Sequence, residues 1–380
     1  MSKRNKIRIL SIDGGGIRGI IPAYTLVQVE NKLKELSGNP DARIADYFDL
    51  FVGTSTGAIL ASMLLVPDEN GRPKFTALDV YDLYMQRGNY IFNQAKEGGL
   101  ISRALFSAAQ YDESHIEKIF LEKLGDLRLS QLLKPCIIPT YDMVRKSSYF
   151  FNSGQACAEN ADFFLRDVLR STSAAPTYFT PAIIESTPET HQAISMVNLD
   201  GGVFANNPAM CAYAEARKTD FSDWEDENNP SKKYPTARNM MLLSLGTGGG
   251  FMELEDPKES PDWNLITWAS NVPNIMMDGG LDTVNYQTKM LFSSLDKDEE
   301  IKNFKRVDFE KSALDEKPPY APDMADASVE NMQDLASAAA ETYARANAEK
   351  PHEWTMNTYV QKLVDIGNQL DEGIDRGILV

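Results

Sequence analysis

Gly53-Thr54-Ser55-Thr56-Gly57 separates a strand-like run, residues 47–52, from an apolar run of helical length, residues 58–65. It matches G-x-S-x-G, the pattern of a tight strand-to-helix turn that exposes a nucleophilic serine. The flanking glycines let such a turn form, and the positive end of the following helix favours negative charge beside the serine. The pattern alone also fits a plain turn with an N-cap. Its place between a strand and a helix favours Ser55 as a nucleophile.

A glycine-rich run, Asp13-Gly14-Gly15-Gly16-Ile17-Arg18-Gly19, ends the first strand-like segment, residues 6–12, and precedes a helical segment, residues 22–36. Ester hydrolysis needs hydrogen-bond donors aimed at an oxyanion, and consecutive glycine N–H groups before a helix can supply them. Arg18 can hold this loop or attract an anionic head group. The glycines of this loop are therefore candidates for donating to an oxyanion.

The same run contains G-x-G-x-x-G at Gly14, Gly16 and Gly19, which is the dinucleotide-binding fingerprint. Asp13 would place a carboxylate beside a pyrophosphate. An acidic residue at the end of a second strand, where a ribose contact belongs, is also missing. A nucleotide-binding module using the Gly14–Gly19 loop remains an alternative function.

A third motif, Asp200-Gly201-Gly202, follows a strand-like run, residues 194–199. Alone it is more typical of a turn, with the aspartate bonded to the backbone. At the end of a strand in the same sheet as Ser55, however, the carboxylate can meet the serine and act as its base. A dyad of this kind requires an environment that raises the aspartate pKa towards the working pH.

Three histidines offer an alternative to the dyad: His115, His191 and His352. None lies in a recognisable active-site motif, and each is more typical of a surface or packing residue. The order Ser55, Asp200, His352 does match the order of serine, acid and histidine in α/β hydrolases. A Ser-Asp-His esterase using His352 is therefore a further alternative.

Strand-like and helical segments alternate through the first 250 residues, which predicts an α/β fold with a largely parallel sheet. We expect a catalytic core over residues 6–250. The following residues, 251–380, look mostly helical and are expected to form a C-terminal portion of the same domain.

The composition of the chain limits which partners, metal sites and cellular locations we expect. The formal net charge of −17 argues against a nucleic-acid polymer, because phosphate binding needs a basic surface. The three cysteines lack the spacing of a zinc site or a disulfide framework. Signal-peptide features and apolar runs of membrane-spanning length are both missing, so we expect a soluble, cytoplasmic protein that is at most peripheral at the membrane.

Taken together and in this order, the three motifs resemble those of the patatin-like phospholipase family, and its bacterial or intracellular branch in particular. The resemblance implies a three-layer α/β/α fold and phospholipase A or lipid acyl hydrolase activity without a metal or another cofactor. It also implies a Ser–Asp dyad of Ser55 and Asp200 and an oxyanion region formed by Gly14, Gly15, Gly16 and Arg18. Residues that support the motifs are Asp13, Gly19, Gly53, Gly57, Gly201 and Gly202.

A lipid hydrolase of this kind would take a lipid substrate from a membrane surface. Residues 90–92, residues 100–106 and Met276-Met277 are apolar candidates for an entrance, although core packing explains such residues as well. Some bacterial relatives are effectors switched on by a nucleotide signal, so the resemblance also leaves a small-molecule nucleotide activator open as a partner.

Overall fold

The computed structural model describes residues 5–92, 111–187, 193–221, 225, 233–248, 264–294, 303–309, 319–348 and 354–375. Its strands are β1 (Ile7–Ile12), β2 (Leu50–Gly53), β3 (Cys136–Asp142), β4 (Ser147–Asn152), β5 (Ala182–Glu185), β6 (Ser195–Asp200), β7 (Met240–Leu245) and β8 (Phe304–Val307).

The helices, numbered along the described chain, are α1 (Ile20–Ser37), α2 (Ile44–Tyr47), α3 (Thr56–Met63), α4 (Ala77–Ile91), α5 (Ser114–Leu124), α6 (Leu165–Thr172), α7 (Gly202–Ala205), α8 (Ala209–Lys218), α9 (Leu265–Ser293), α10 (Val329–Asn347) and α11 (Met356–Asp375). Short 3-10 helices lie at Gly16–Gly19, Leu129–Gln131 and Ala237–Asn239.

All eight strands belong to one sheet, in the order β5-β6-β3-β2-β1-β7-β8, with β4 beside β3. The pairings β3–β2, β2–β1, β1–β7 and β7–β8 are parallel. The pairings that β3 makes with β4 and β6, and the β5–β6 pairing, are antiparallel. The predicted mostly parallel sheet is therefore confirmed, with an antiparallel side.

The side chains of alternate residues in the central strands pack into two hydrophobic cores, one on each face of the sheet. In β1, Leu10 and Ile12 pack with α1, α3, α4, α10 and α11 on one face. Ile7 and Ile9 point to the other face, towards α8 and Phe292 of α9. This period of two is what a strand buried on both sides requires. The three-layer α/β/α fold expected from the sequence is confirmed.

The residues after position 250 contribute more than helices. β8 extends the sheet beside β7, and α10 and α11 pack against α1 on the first face. β8 was not predicted, because Phe304-Lys305-Arg306-Val307 is short and has two charged residues at its centre. Helix α9 contains Pro273, Gly279 and Gly280, residues that disfavour a helix, so its bounds were not evident either.

The hydropathy of the described helices is too low for a bilayer crossing: none of them combines sufficient length with sufficient apolar character.

Candidate active site

Ser55 lies at the turn between β2 and α3, and its backbone conformation is unusual. Its φ of 53° and ψ of −121° place a non-glycine residue in a region that L-amino acids rarely adopt. Such strain persists only where the surroundings fix it, and it is typical of functional turns. The conformation is the one expected of a serine displayed on a strand-to-helix turn.

Close packing under this turn explains its two glycines. A Cβ on Gly57 would overlap the carbonyl oxygen of Ile12 in β1, and a Cβ on Gly53 would overlap the backbone of Gly57. The side chain of Thr54 donates a hydrogen bond of 2.7 Å to the carbonyl oxygen of Ala205. These contacts with β1, within the turn and with Ala205 fix the turn and hold Ser55 at the end of β2.

Asp200 reaches Ser55 by a route that differs from the expected one. The sequence suggested that parallel strands would bring both residues to one edge, but β6 runs antiparallel to β3. The register of the sheet brings the two residues together. Phe51 of β2 lies opposite Cys136 of β3, so four residues further along each chain segment Ser55 comes level with Thr140. Asp200 of β6 lies opposite Thr140, which places Asp200 at the level of Ser55.

The Asp200 carboxyl group is buried, and the backbone N–H of Gly202 donates a hydrogen bond to its Oδ1 over 2.6 Å. Burial raises the pKa of Asp200 to about 7, although this N–H and the neighbouring Ser55 side chain both act in the opposite direction. This carboxyl group can therefore exchange a proton near neutral pH, as a general base must.

A run of small residues between Ser171 and Pro176 connects the two residues. The hydroxyl of Thr172 accepts the N–H of Ser55 over 3.0 Å and donates to the carbonyl oxygen of Pro139 over 2.7 Å. The backbone N–H of Asp200 donates to Ala174 over 3.0 Å. Thr172 thus ties the serine turn to β3, a function that no local pattern in the sequence indicated.

The glycine-rich loop lies against the serine turn. The N–H of Gly14 donates to the carbonyl oxygen of Asn206 over 3.0 Å, so it is already engaged. Within the described ranges, the N–H groups of Gly15 and Gly16 donate to no acceptor, and both residues line the cavity beside Ser55. The arrangement leaves Gly15 and Gly16 as the candidate oxyanion donors.

Arg18 lies further along the loop. Its side chain is partly exposed, and its charge acts on the hydroxyl groups of Tyr178 and Tyr320. The structure places it outside the lining of the cavity.

Ser55 and Asp200 open into a cavity of about 630 Å³. Apolar side chains form most of its wall: Ile59, Leu83, Ile91, Phe92, Ile116, Ile119, Phe120, Phe179, Val272, Met276, Met277 and Met324. Four of these belong to the entrance candidates seen in the sequence, namely Ile91, Phe92, Met276 and Met277. The other candidate segment, residues 100–106, lies outside the described residues.

Comparison with known proteins agrees with this geometry. The family model described as patatin-like phospholipase matches residues 10–213, which is more than half of the chain. The chain belongs to the patatin-like phospholipase family. Membership supports lipid acyl hydrolase activity, the general chemistry that a serine turn beside an apolar cavity can perform.

Plant members of the patatin-like phospholipase family align over most of the chain. Patatin-like protein 2 of Oryza sativa subsp. indica is 35% identical over 347 residues, covering 88% of this chain and 82% of that protein. Patatin-like protein 1 of Arabidopsis thaliana is 34% identical, covering 77% and 74%. Patatin-17 of Solanum cardiophyllum is 33% identical, covering 76% and 73%.

Among solved structures, VipD from Legionella pneumophila aligns with 90% of this chain and 68% of its own, at a TM-score of 0.33 and 10% identity. That similarity is too low to bear on fold or function.

The histidines and the glycine loop bear on the alternative functions raised by the sequence. His115 packs against Tyr90, with ring centroids 4.5 Å apart, and does not line the cavity. His191 and His352 lie outside the described residues, so the Ser-Asp-His alternative is untested. The glycine loop proposed for nucleotide binding borders the same cavity as Ser55. Among the described residues, no group of three or more histidine, cysteine or acidic residues could hold a metal ion.

Burial of Asp200 predicts a stability cost that depends on pH. Its pKa is 3.8 in an ordinary setting and about 7 in the folded protein. The folded state therefore loses stability as pH rises from about 4 to about 7, by an amount on the order of 4 kcal/mol. Asp200→Asn keeps the shape without the charge. Its free energy of unfolding, relative to the unsubstituted protein, should rise by up to this amount between pH 4 and pH 8.

Urea denaturation at pH 4, 6 and 8 measures this difference. Asp142→Asn is a matched control, because the pKa of Asp142 is lowered by its hydrogen bonds to Arg145 and neighbouring N–H groups, which outweigh the opposing effect of its burial. That substitution should cost stability at pH 8. A pH-independent difference for Asp200→Asn would show that the carboxyl group is not strained by burial.

Proposed function

We propose that this chain is a phospholipase A-type lipid acyl hydrolase that uses a Ser55–Asp200 dyad. One observation carries the proposal: the buried carboxyl group of Asp200, whose pKa burial raises to about 7, lies beside a serine on a strained strand-to-helix turn. A serine hydroxyl is a weak nucleophile unless an adjacent base can take its proton. Asp200 would be that base, without a histidine.

Acylation would begin with transfer of the Ser55 Oγ proton to the Asp200 carboxylate. The oxygen attacks the ester carbonyl carbon, and the electron pair of the carbonyl moves onto its oxygen to give a tetrahedral oxyanion. The N–H groups of Gly15 and Gly16 would donate to that oxyanion. Collapse expels the alcohol portion of the lipid, which takes the proton from Asp200 and leaves an acyl ester on Ser55.

Deacylation repeats these steps with water. The Asp200 carboxylate takes a proton from a water molecule, whose oxygen attacks the acyl ester. Collapse of the second oxyanion releases the fatty acid, and Ser55 regains its proton from Asp200. Asp200 thus returns to its ionised form after each half-reaction, as a catalyst must.

The wall of the cavity favours a fatty acyl chain as the portion that enters. Side chains from α4 and α5, including Leu83, Ile116 and Phe120, form part of its lining. Each buried methylene contributes about 0.8 kcal/mol to binding. A long acyl chain would therefore bind far better than an acetyl group, which distinguishes a lipid hydrolase from a general esterase.

We further propose a membrane surface as the transient partner. Four apolar residues of α9 have exposed side chains and recur at helical spacing, namely Trp268, Val272, Ile275 and Met276. Val272 and Met276 also line the cavity, so the exposed apolar face continues into the site. The net charge of −17 favours an uncharged or zwitterionic lipid surface over an anionic one.

Fatty acid release from defined phospholipids and acylglycerols tests the proposed chemistry. Ser55→Ala and Asp200→Asn should each lower turnover at least a thousandfold, because the residues act as a unit. Both variants should remain folded by circular dichroism. His115→Gln is the control and should keep wild-type turnover. Release that persists in Ser55→Ala, or near-normal turnover in Asp200→Asn, would contradict the dyad.

Binding to vesicles tests the membrane surface. The double variant Trp268→Gln, Ile275→Gln should co-sediment less with phosphatidylcholine vesicles and hydrolyse them at least tenfold more slowly, because it loses apolar contact area outside the cavity. Hydrolysis of a soluble short-chain ester should change little. The matched control is Leu78→Gln, an exposed position about 20 Å from Ile91 along α4. Equal vesicle binding by both variants would place the docking surface elsewhere.

A further inference from the structure

The turn Gly246-Thr247-Gly248 has no place in the proposed chemistry, yet it lies directly beneath the glycine loop. It follows β7, which pairs in parallel with β1 so that Leu245 lies opposite Ile12. The two strands therefore end together, and the segments that follow them meet. The N–H of Asp13 donates to the carbonyl oxygen of Leu245 over 3.0 Å, which begins this contact.

Thr247 makes the closest contact between the two segments. Its side chain is buried, and its hydroxyl donates a hydrogen bond of 2.6 Å to the carbonyl oxygen of Gly14. A Cβ on Gly15 would overlap the Thr247 side chain, so the glycine rests directly on it. A threonine hydroxyl thus has a defined acceptor inside the loop that carries the candidate oxyanion donors.

The direction of this bond fixes the direction of another group. In a trans peptide the C=O and the following N–H lie in one rigid plane and point in opposite directions. The carbonyl of Gly14 is held towards Thr247, so the N–H of Gly15 points away from Thr247. Gly15 lines the cavity beside Ser55, and its N–H donates to no acceptor among the described residues.

The neighbouring peptides are restrained as well. The N–H of Gly14 donates to Asn206, and the carbonyl of Gly15 accepts the N–H of Arg18 over 3.2 Å. The peptide groups on both sides of the Gly14–Gly15 peptide are thus held by backbone hydrogen bonds. The orientation of the Gly14–Gly15 peptide itself is set by the side chain of Thr247.

Residues from the C-terminal portion hold Thr247 in turn. The N–H of Gly248 donates to Asp308 over 2.9 Å, and the hydroxyl of Tyr320 donates to the carbonyl of Gly248 over 2.8 Å. Arg306 of β8 bonds Asp308 over 2.6 Å and pairs with both carboxylate oxygens of Asp13, at 3.0 and 2.6 Å. One guanidinium group therefore joins the Thr247 turn to the first residue of the glycine loop.

We propose that Thr247 is a positioning residue, whose hydroxyl holds the Gly14 carbonyl and so aims the Gly15 N–H at the oxyanion. The role rests on the proposed function of Ser55 and Asp200. It acts on the transition state rather than on the bound lipid, because the ester oxygen becomes an oxyanion only after attack. Loss of a single oxyanion donor typically lowers turnover about 10²–10³-fold.

Thr247→Val tests this role, because valine keeps the shape of threonine without the hydroxyl. Its kcat should fall tenfold to a hundredfold while KM changes less than threefold. Thr247→Ser keeps the hydroxyl and should retain most of the turnover. Should valine prevent folding, Thr247→Ala removes the same hydroxyl without adding volume, and the same loss is expected.

Inhibitor binding separates orientation from a general structural effect. A long-chain alkyl trifluoromethyl ketone forms a tetrahedral adduct with a serine nucleophile. Its inhibition constant should rise in Thr247→Val in parallel with the loss of kcat/KM. The dissociation constant of a non-hydrolysable ether phospholipid, which forms no oxyanion, should stay within about threefold of the wild-type value.

The outcomes distinguish the two proposals. Absent or Ser55-independent hydrolysis by the unsubstituted protein would overturn the proposed function. Ser55-dependent hydrolysis with Thr247→Val within twofold of wild-type turnover, or with Thr247→Ser as slow as Thr247→Val, would overturn the role of Thr247 alone.

Discussion

The proposed dyad depends on one contact, between the side chain of Ser55 and the buried carboxyl group of Asp200. Burial is unfavourable for a carboxylate, and that cost keeps its affinity for protons high enough to serve as a base near neutral pH. A more exposed aspartate would stay ionised but would be too weakly basic to take a serine proton. Burial of Asp200 thus lowers the stability of the fold at neutral pH, and the same burial would make this carboxylate a stronger base.

Because the proposed pair must stay buried and aligned, the segments around it have to be held together at one edge of the sheet. Three short contacts do this: the serine turn bonds Thr172, the glycine loop bonds Asn206, and Arg306 pairs with Asp13. The last contact joins residues almost 300 positions apart. The C-terminal portion, through β8, therefore helps to hold the glycine loop in place.

Local patterns were enough to predict the strands and turns that carry Ser55 and Asp200, because each motif sits where hydrophobic periodicity changes from two to a helical repeat. The antiparallel course of β6 was not predictable, since a strand's own residues do not encode its direction relative to its neighbours. The roles of Thr172 and Arg306 were not predicted for a similar reason. Both arise from tertiary contacts, which the sequence around each residue does not reveal.

The most direct test of the central claim is the rate at which a fluorophosphonate probe labels Ser55 as a function of pH, followed by intact-protein mass. If Asp200 activates Ser55, the rate should rise through a pKa of about 7, and Asp200→Asn should label slowly at every pH. A labelling rate that does not change between pH 5 and pH 9, or that is the same in Asp200→Asn, would contradict the account.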